Sequence, residues 1–238
     1  MRIILSFLTL FFVNAQNQYC NVHNKGVNSG LANQLAHSLN QIRNQVATGQ
    51  ISFEGSQSAS NMNVIHWSNG YAKMAQTCVE KCPLKASTCG QFQNYGVLFF
   101  KRHLNQQMRT NQVMEKWFKE PENAKQLLTA RSSAFGCGKA EDNASEYIVC
   151  YFDEKYTGAK QAFLAGPVGA SCKLGRSKMY SGLCATASSQ TLIHQSSHVK
   201  NKQQKKQKKQ KKQKTHKNKK NTEMDVALIS MTDFKEFV

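Results

Sequence analysis

The segment 60–89, SNMNVIHWSNGYAKMAQTCVEKCPLKASTC, decides the fold, because it couples a buried helix to three cysteines. Ser68 is the predicted N-cap of that helix, since a serine hydroxyl can accept a hydrogen bond from the first helical turn. Apolar side chains then recur at three- and four-residue steps, which predicts that one face packs into a core; they are Tyr71, Met74, Ala75, Cys78 and Cys82. On a helix, Cys78 and Cys82 would have Cβ atoms about 5–6 Å apart, whereas a disulfide needs roughly 3.8 Å. Each of these two cysteines is therefore expected to bond a different partner.

The N-terminus has the pattern of a secretory signal peptide. Residues 1–15, MRIILSFLTLFFVNA, combine a basic start, an apolar run and a small final residue, which predicts cleavage before Gln16. The apolar run is shorter than the about 20 residues that span a bilayer, and no later segment comes close. We therefore expect a secreted, extracellular protein without a transmembrane segment. In that oxidising compartment, the eight cysteines predict four disulfides rather than a zinc site.

The chain up to Cys184 is long enough for one domain with a core. A helical stripe with Gly49 as its predicted C-cap precedes the segment 60–89; it consists of Leu31, Leu35, Leu39, Ile42 and Val46. A later amphipathic pattern predicts a helix that Pro121 ends; its residues are Leu104, Met108, Val113, Met114, Trp117 and Phe118. Residues 126–130 are expected to continue as a short helix. The run GVLFF, residues 96–100, fits a buried strand or an apolar loop, and its length does not decide between them.

Two strands are predicted near the end of this domain. FGCGK (135–139) and YIVCYF (147–152) flank an Asp-Asn-Ala-Ser turn, and their facing positions predict the disulfide Cys137–Cys150. Asn143 in the turn begins a sequon that a secreted protein can glycosylate. Further on, Cys172 and Cys184 bracket the loop CKLGRSKMYSGLC, where a local disulfide is expected.

The formal charge of +18 is concentrated in a C-terminal tail, because twelve lysines fall within residues 200–220. The Lys/Gln repeat has no apolar residue to bury, so the tail is expected to be disordered. A flexible cationic arm can bind glycosaminoglycans or other polyanions by releasing counterions, although many charge runs are simply solvated. The predicted polyanion contacts are Lys205, Lys206, Lys208, Lys209, Lys211 and Lys212.

Four pieces of the chain together resemble the CAP superfamily of cysteine-rich secretory, antigen 5 and pathogenesis-related proteins, and within it the insect antigen-5-like, venom-allergen-like branch. LNQIRNQVATG (39–49) resembles the first-helix signature, and SNMNVIHW followed by YAKMAQ resembles the segment after it. FGCG and YIVCYF resemble the paired strands, and the last two cysteines have the spacing of the C-terminal hinge loop.

The resemblance implies an α/β fold, a three-layer α-β-α sandwich called the CAP or SCP domain. A small disulfide-stapled C-terminal hinge and a disordered tail would follow it. The implied organisation is a signal peptide at 1–15, a CAP/SCP-like domain at 16–152, a disulfide-containing hinge extension at 153–184 and a Lys/Gln-rich tail at 185–238.

Members of this superfamily have a cavity lined by two histidines and two glutamates, which in some members binds a divalent metal. The resemblance aligns the histidine positions with Ala86 and Asn123 and the acidic positions with Val97 and Glu120. Only Glu120 keeps a ligand, whereas zinc needs several His, Cys or carboxylate donors. Gln126 is the one residue retained from the motif around the second histidine. The resemblance therefore implies a degenerate cavity without a metal or other cofactor, and without an acid–base pair for catalysis.

Excluding a bond between Cys78 and Cys82 leaves two arrangements of the cysteines before Cys137. Either Cys20 bonds Cys82 and Cys78 bonds Cys89, or Cys20 bonds Cys78 and Cys82 bonds Cys89. The habit of the related insect proteins favours the first arrangement.

These observations predict a secreted, monomeric, non-enzymatic CAP-like protein that recognises a protein, glycan or lipid in a reproductive, salivary or venom fluid. The alternative is a cationic extracellular adhesion protein whose polylysine tail binds polyanions. An enzyme is disfavoured, because no serine lies in a nucleophile-elbow motif and no cysteine is expected to stay unpaired. His66 is expected to be structural and His37 to be solvated.

Overall fold

A computed structural model describes residues 21–83, 85–89, 94–158 and 161–187. Apart from its last three residues, this part of the chain belongs to the first of two compact units, Met1–Cys184 and Ala185–Val238. The predicted signal peptide, Cys20 and the lysines of the tail lie outside the described residues.

The described residues form four α-helices, four β-strands and two short 3₁₀ helices. The helices are α1 (Ser29–Ala47), α2 (Asn69–Val79), α3 (Val113–Phe118) and α4 (Pro121–Leu127). The strands are β1 (His66–Trp67), β2 (Gly96–His103), β3 (Ala134–Glu141) and β4 (Ser145–Phe152). The 3₁₀ helices are Ala86–Cys89 and Thr110–Gln112.

The strands form one sheet in the order β1-β3-β4-β2. The short β1 runs parallel to β3, whereas β3 with β4 and β2 with β4 are antiparallel. Every residue of the central strand β4 is buried, because helices cover both faces of the sheet. Alternate β4 residues therefore serve different layers, with Cys150 and Phe152 on one face and Val149 and Tyr151 on the other.

The helices divide between the two faces of the sheet. On one face, α1, α3 and α4 enclose a core that contains Leu39, Trp117 and Leu127. On the other face, α2 packs Ala75 and Val79 against the sheet. The predicted three-layer α-β-α sandwich is therefore confirmed.

The start of α2 is as predicted, but its end is not. The Ser68 hydroxyl accepts a hydrogen bond from the Tyr71 backbone N–H, so Ser68 is the N-cap. The helix ends at Val79, and Cys82 lies beyond it in a left-handed conformation with φ of 46°. Cys82 therefore does not extend the helical stripe. On α1, Thr48 is the C-cap, and Gly49 follows it with φ of 77°, a conformation that glycine adopts at no steric cost.

The predicted helix from Leu104 to Phe118 is wrong over its first half. Residues 104–109 form turns and irregular chain, and Thr110–Gln112 form a 3₁₀ helix. GVLFF, which fitted a strand or a loop, begins the strand β2, and β2 pairs with β4 along its whole length, from Gly96 opposite Phe152 to His103 opposite Ser145. The helix α3 contains only the last part of the pattern. Pro121 starts α4 instead of ending α3, since its fixed φ and missing N–H suit the first turn of a helix. Because α4 covers Pro121–Leu127, the short helix predicted at 126–130 begins and ends earlier than expected.

Candidate functional site

The structure places the four predicted cavity positions in two groups. Ala86 starts the 3₁₀ helix that leads to Cys89, and Val97 packs beside the α2-side core. Glu120 and Asn123 instead lie at the start of α4. The first pair therefore belongs to the α2 layer of the sandwich, and the second pair belongs to the opposite layer.

Glu120 and Asn123 are directly bonded. The Asn123 side-chain amide donates to the Glu120 carboxylate at 2.5 Å, and the Lys116 ammonium lies 3.6 Å from the same carboxylate. Glu120 is exposed, and its oxygens are already used by an amide and a cation. This arrangement has the character of a surface hydrogen bond near a helix start rather than of a metal ligand set.

In the described ranges, no three His, Cys, Asp or Glu side chains are grouped so that they could hold a metal ion. His37 is exposed, as predicted, and its Nδ1 lies 3.0 Å from the Tyr180 hydroxyl. Burial lowers the pKa of His66, so this imidazole is neutral at physiological pH.

The described part of the chain has two surface hollows of note. The first, of about 460 Å³, lies between the end of α4 and residues 155–164, and its lining includes Arg131 and Phe163. The second, of about 330 Å³, lies between α1 and the hinge, where His37 and Met179 line it. None of Ala86, Val97, Glu120 and Asn123 lines either hollow.

The residue retained from the family motif, Gln126, has a structural position. Its amide nitrogen donates to the Glu154 carbonyl at 2.8 Å, and its amide oxygen accepts from the Tyr156 N–H at 2.9 Å. The side chain also lies directly against Gly96, where a Cβ would collide with it. Gln126 thus fixes the chain that leaves β4 against α4, and both of its polar atoms are satisfied.

Arg43 is a charged residue in the interior of the domain, at a position that the predicted apolar stripe of α1 did not include. Its side chain is fully buried. The guanidinium donates to the carbonyls of Asn63 at 2.8 Å, Leu127 at 2.6 Å and Thr129 at 3.1 Å. Longer bonds of 3.4 Å reach the carbonyls of Ala130 and Ser132. One side chain on α1 therefore holds the end of α4 and the approach to β3.

Burial lowers the pKa of Arg43 to about 9, and the negative charge of Asp153 opposes this shift. The guanidinium consequently stays protonated at neutral pH. Asp153 itself accepts bonds from the Ser133 and Ala134 backbone N–H groups, each at 3.0 Å. Arg43 and Asp153 thus each bond the backbone around residues 132–134.

Asn40 performs a similar task one helical turn earlier. Its amide donates to the Ile65 carbonyl at 2.8 Å and accepts from the Ile65 N–H at 3.0 Å. This pairing copies one rung of a β-ladder and fixes the chain just before β1. Asn40 and Arg43 were missed as interior residues, although their spacing within the apolar stripe was the available signal.

Three disulfides are formed within the described residues. The structure joins Cys137 to Cys150 and Cys172 to Cys184, and it joins Cys78 to Cys89, as the family habit implied. Cys82 is also disulfide-bonded, and its predicted partner Cys20 lies outside the described residues. Asn143 is exposed in the turn between β3 and β4, where a glycan would meet solvent.

Residues 36–152 match the family model described as CAP, the cysteine-rich secretory protein family. Together with the sandwich, this match shows that the chain belongs to the CAP superfamily, as a divergent member. Scoloptoxin SSD552 of Scolopendra dehaani is 27% identical over 215 residues, which cover 77% of this chain and 100% of the relative. Scoloptoxin SSD43 of the same organism is 24% identical over 192 residues, which cover 69% and 89%.

Among solved structures, that of the protein NaASP2 superimposes with a TM-score of 0.56 at 17% identity, covering 67% of this chain and 97% of the other. That structure is of NaASP2 with Zn²⁺. At this identity the likeness shows the shared fold alone. Within the described residues, no helix is long and apolar enough to cross a membrane.

Proposed function

We propose that this protein is a secreted, non-enzymatic CAP-domain protein of the antigen 5 type that recognises surfaces in a venom, salivary or reproductive fluid. The observation that carries the proposal is which residues occupy the positions where the family has its metal ligands. Ala86 and Val97 offer no donor atom, and Glu120 is bonded to Asn123 at the protein surface. The chain thus retains the sandwich without the residues that would hold a metal in it.

The buried polar groups support a structural rather than a catalytic use. Glu146 is fully buried, but its carboxylate accepts from the Arg102 Nε at 2.5 Å and from the Thr110 hydroxyl at 2.8 Å. Gln126 and Arg43 are likewise occupied with backbone groups. A general acid or base must be able to reach a proton of the substrate. The side chains of Glu146, Gln126 and Arg43 instead form hydrogen bonds with neighbouring protein groups.

The compartment is supported by cysteine chemistry and by the names of the relatives. Disulfides persist mainly outside the cytosol, and three of them lie within the described residues. Two relatives of this chain are named as scoloptoxins. We extend the proposal to the organisation of the chain, with a cleaved signal at 1–15, the CAP domain at 16–152, a hinge at 153–184 and a tail at 185–238.

Native mass spectrometry of the protein secreted from insect cells tests this proposal in one measurement. We expect a mass that lacks residues 1–15 and eight cysteine hydrogens, with a glycan that the Asn143→Gln variant loses. Added zinc should leave no stoichiometric adduct, because too few donors are grouped to bind it. A zinc adduct that disappears in the Glu120→Gln variant would refute the degenerate cavity, and retention of the uncleaved chain in cells would refute secretion.

A second function, polyanion binding by the tail, is favoured by the twelve lysines within residues 200–220. Such a tail would bind heparin with a steep salt dependence, because each neutralised anion releases counterions. We expect the full chain to elute from heparin at a clearly higher salt concentration than a form ending at Ser197. Equal elution of the two forms would show that the tail does not bind polyanions.

A further inference from the structure

The loop closed by the disulfide Cys172–Cys184, here called the stapled loop, presents cations and apolar side chains together at the surface. Lys173, Arg176 and Lys178 are all exposed. Leu174 is 50% exposed and Met179 is 80% exposed. Exposed large apolar residues are otherwise few in the described residues, where Leu104 and Leu164 complete the set.

The base of the stapled loop is held firmly on the domain. Beside the disulfide, the Cys184 N–H donates to the Met62 carbonyl at 2.7 Å, and the Val64 N–H donates to the Cys184 carbonyl at 2.9 Å. Leu183 is fully buried in the core beneath α1. The tip is therefore presented by a fixed frame, so that binding through it would cost little conformational entropy.

The charge of the stapled loop itself has one sign. The sequence has no Asp or Glu from Lys155 to Thr222. Among the ion pairs of the described residues, none involves Lys173, Arg176 or Lys178. Arg176 donates a long bond to the Ser181 carbonyl at 3.5 Å, which leaves its positive charge unpaired. The three cations can therefore face an external anion, and Leu174 and Met179 are exposed in the same loop.

We propose that the stapled loop docks onto anionic lipid surfaces. Leu174 and Met179 would enter the boundary between headgroups and acyl chains, while the cations contact lipid phosphates and carboxylates. Apolar burial and attraction to anionic lipid add together in interfacial binding. A sulfated glycan would satisfy the cations but offers no apolar phase for Met179, so the exposed apolar pair favours lipid as the partner.

This inference rests on the proposed extracellular role, because the loop must meet an external membrane. It is distinct from binding by the lysine tail, which needs no apolar side chain. The two contributions can be separated, because substitutions of Leu174 and Met179 leave every charge of the chain in place.

The test uses the full secreted chain and vesicles of phosphatidylcholine with or without phosphatidylserine. In the Met179→Trp variant, the added tryptophan should shift its emission to shorter wavelength on phosphatidylserine vesicles and should be quenched by lipids brominated near the headgroup. If the variant bound the vesicles while its added tryptophan kept a water-exposed emission, the proposal would be overturned, because the tail alone would then account for the binding.

The Leu174→Ser/Met179→Ser variant should partition onto the same vesicles about tenfold more weakly than the wild type, because apolar burial at the interface is lost. The matched control is Leu104→Ser, which removes an exposed apolar side chain elsewhere and should leave partitioning unchanged. Unaltered unfolding midpoints would show that the variants are folded. If the double variant partitioned onto the vesicles as the wild type does, or if it lost heparin retention while its vesicle binding stayed unchanged, a lipid site in the stapled loop would be refuted. Either result would leave the proposed secretion and the proposed absence of zinc binding unaffected.

Discussion

Replacing Arg43 with methionine is expected to lower the free energy of unfolding by about 3–5 kcal/mol, the usual cost of removing one partner from a buried charged network. Methionine has a similar length and would avoid the cost of burying a charge. It would nevertheless leave the Leu127 and Asn63 carbonyls without these donors, whereas the Thr129 carbonyl keeps its bond from the Ser132 N–H. Each unsatisfied buried group costs about 1–3 kcal/mol, so the loss outweighs the gain.

Urea denaturation of the two proteins measures this difference. Arg131→Met is the matched control, because the Arg131 side chain is 75% exposed and, within the described ranges, forms an ion pair with the partly exposed Glu154 alone. Its effect should stay within about 0.5 kcal/mol. If Arg43→Met were as stable as Arg131→Met, the guanidinium would not be what holds the end of α4 to α1.

Adding a methyl group at Gly138 is expected to separate α2 from the sheet. A Cβ at this position would lie 2.5 Å from the Ala75 carbonyl carbon, a backbone atom that cannot turn aside. The Gln76 side chain, which both donates to the Lys139 carbonyl at 3.1 Å and accepts from the Lys139 N–H at 3.0 Å, would lose its register. We expect a loss of about 3 kcal/mol in stability.

For a domain of this size, that loss corresponds to a fall in Tm of about 6–12 °C. Gly70→Ala is the control. Gly70 lies on α2, and a Cβ added there would have the Ser68 Oγ as its nearest non-neighbouring atom, at 3.6 Å, which is ordinary van der Waals contact. A helical alanine should there raise stability by about 0.5–1 kcal/mol. Differential scanning calorimetry should show a lower Tm for Gly138→Ala and a higher Tm for Gly70→Ala than for the wild type. A neutral Gly138→Ala would mean that α2 does not approach the sheet as closely as described.

The close approach of α2 also explains why FGCGK is a strand with two glycines. Glycine weakens a strand interior, and it is often found where another backbone comes near. At Gly136 as at Gly138, the space of a side chain is taken by the α2 backbone. The strand was predictable from the pattern, but the helix above it was placed there only by the fold.

The candidate site was less predictable than the fold. The alignment of Val97 and Glu120 to one cavity used spacing along the chain, whereas their places depend on strand register and helix starts. β2 alternates its side chains between the two layers, and Val97 falls on the α2 side. The run 104–118 misled in the same way, because the chain turns after β2 ends at His103 and becomes α-helical only from Val113.

What the sequence determined by itself is local or covalent: the N-cap Ser68, the apolar strand β4, the even number of cysteines and the family signature. These depend on neighbours within a few residues or on a pattern carried by the chain. What only the tertiary structure decided are contacts between distant segments. Arg43 bonds carbonyls that are 20 to 89 residues away, and the stapled loop owes its firm base to Met62 and Val64. Such partners are chosen by three-dimensional packing, which spacing along one chain does not record.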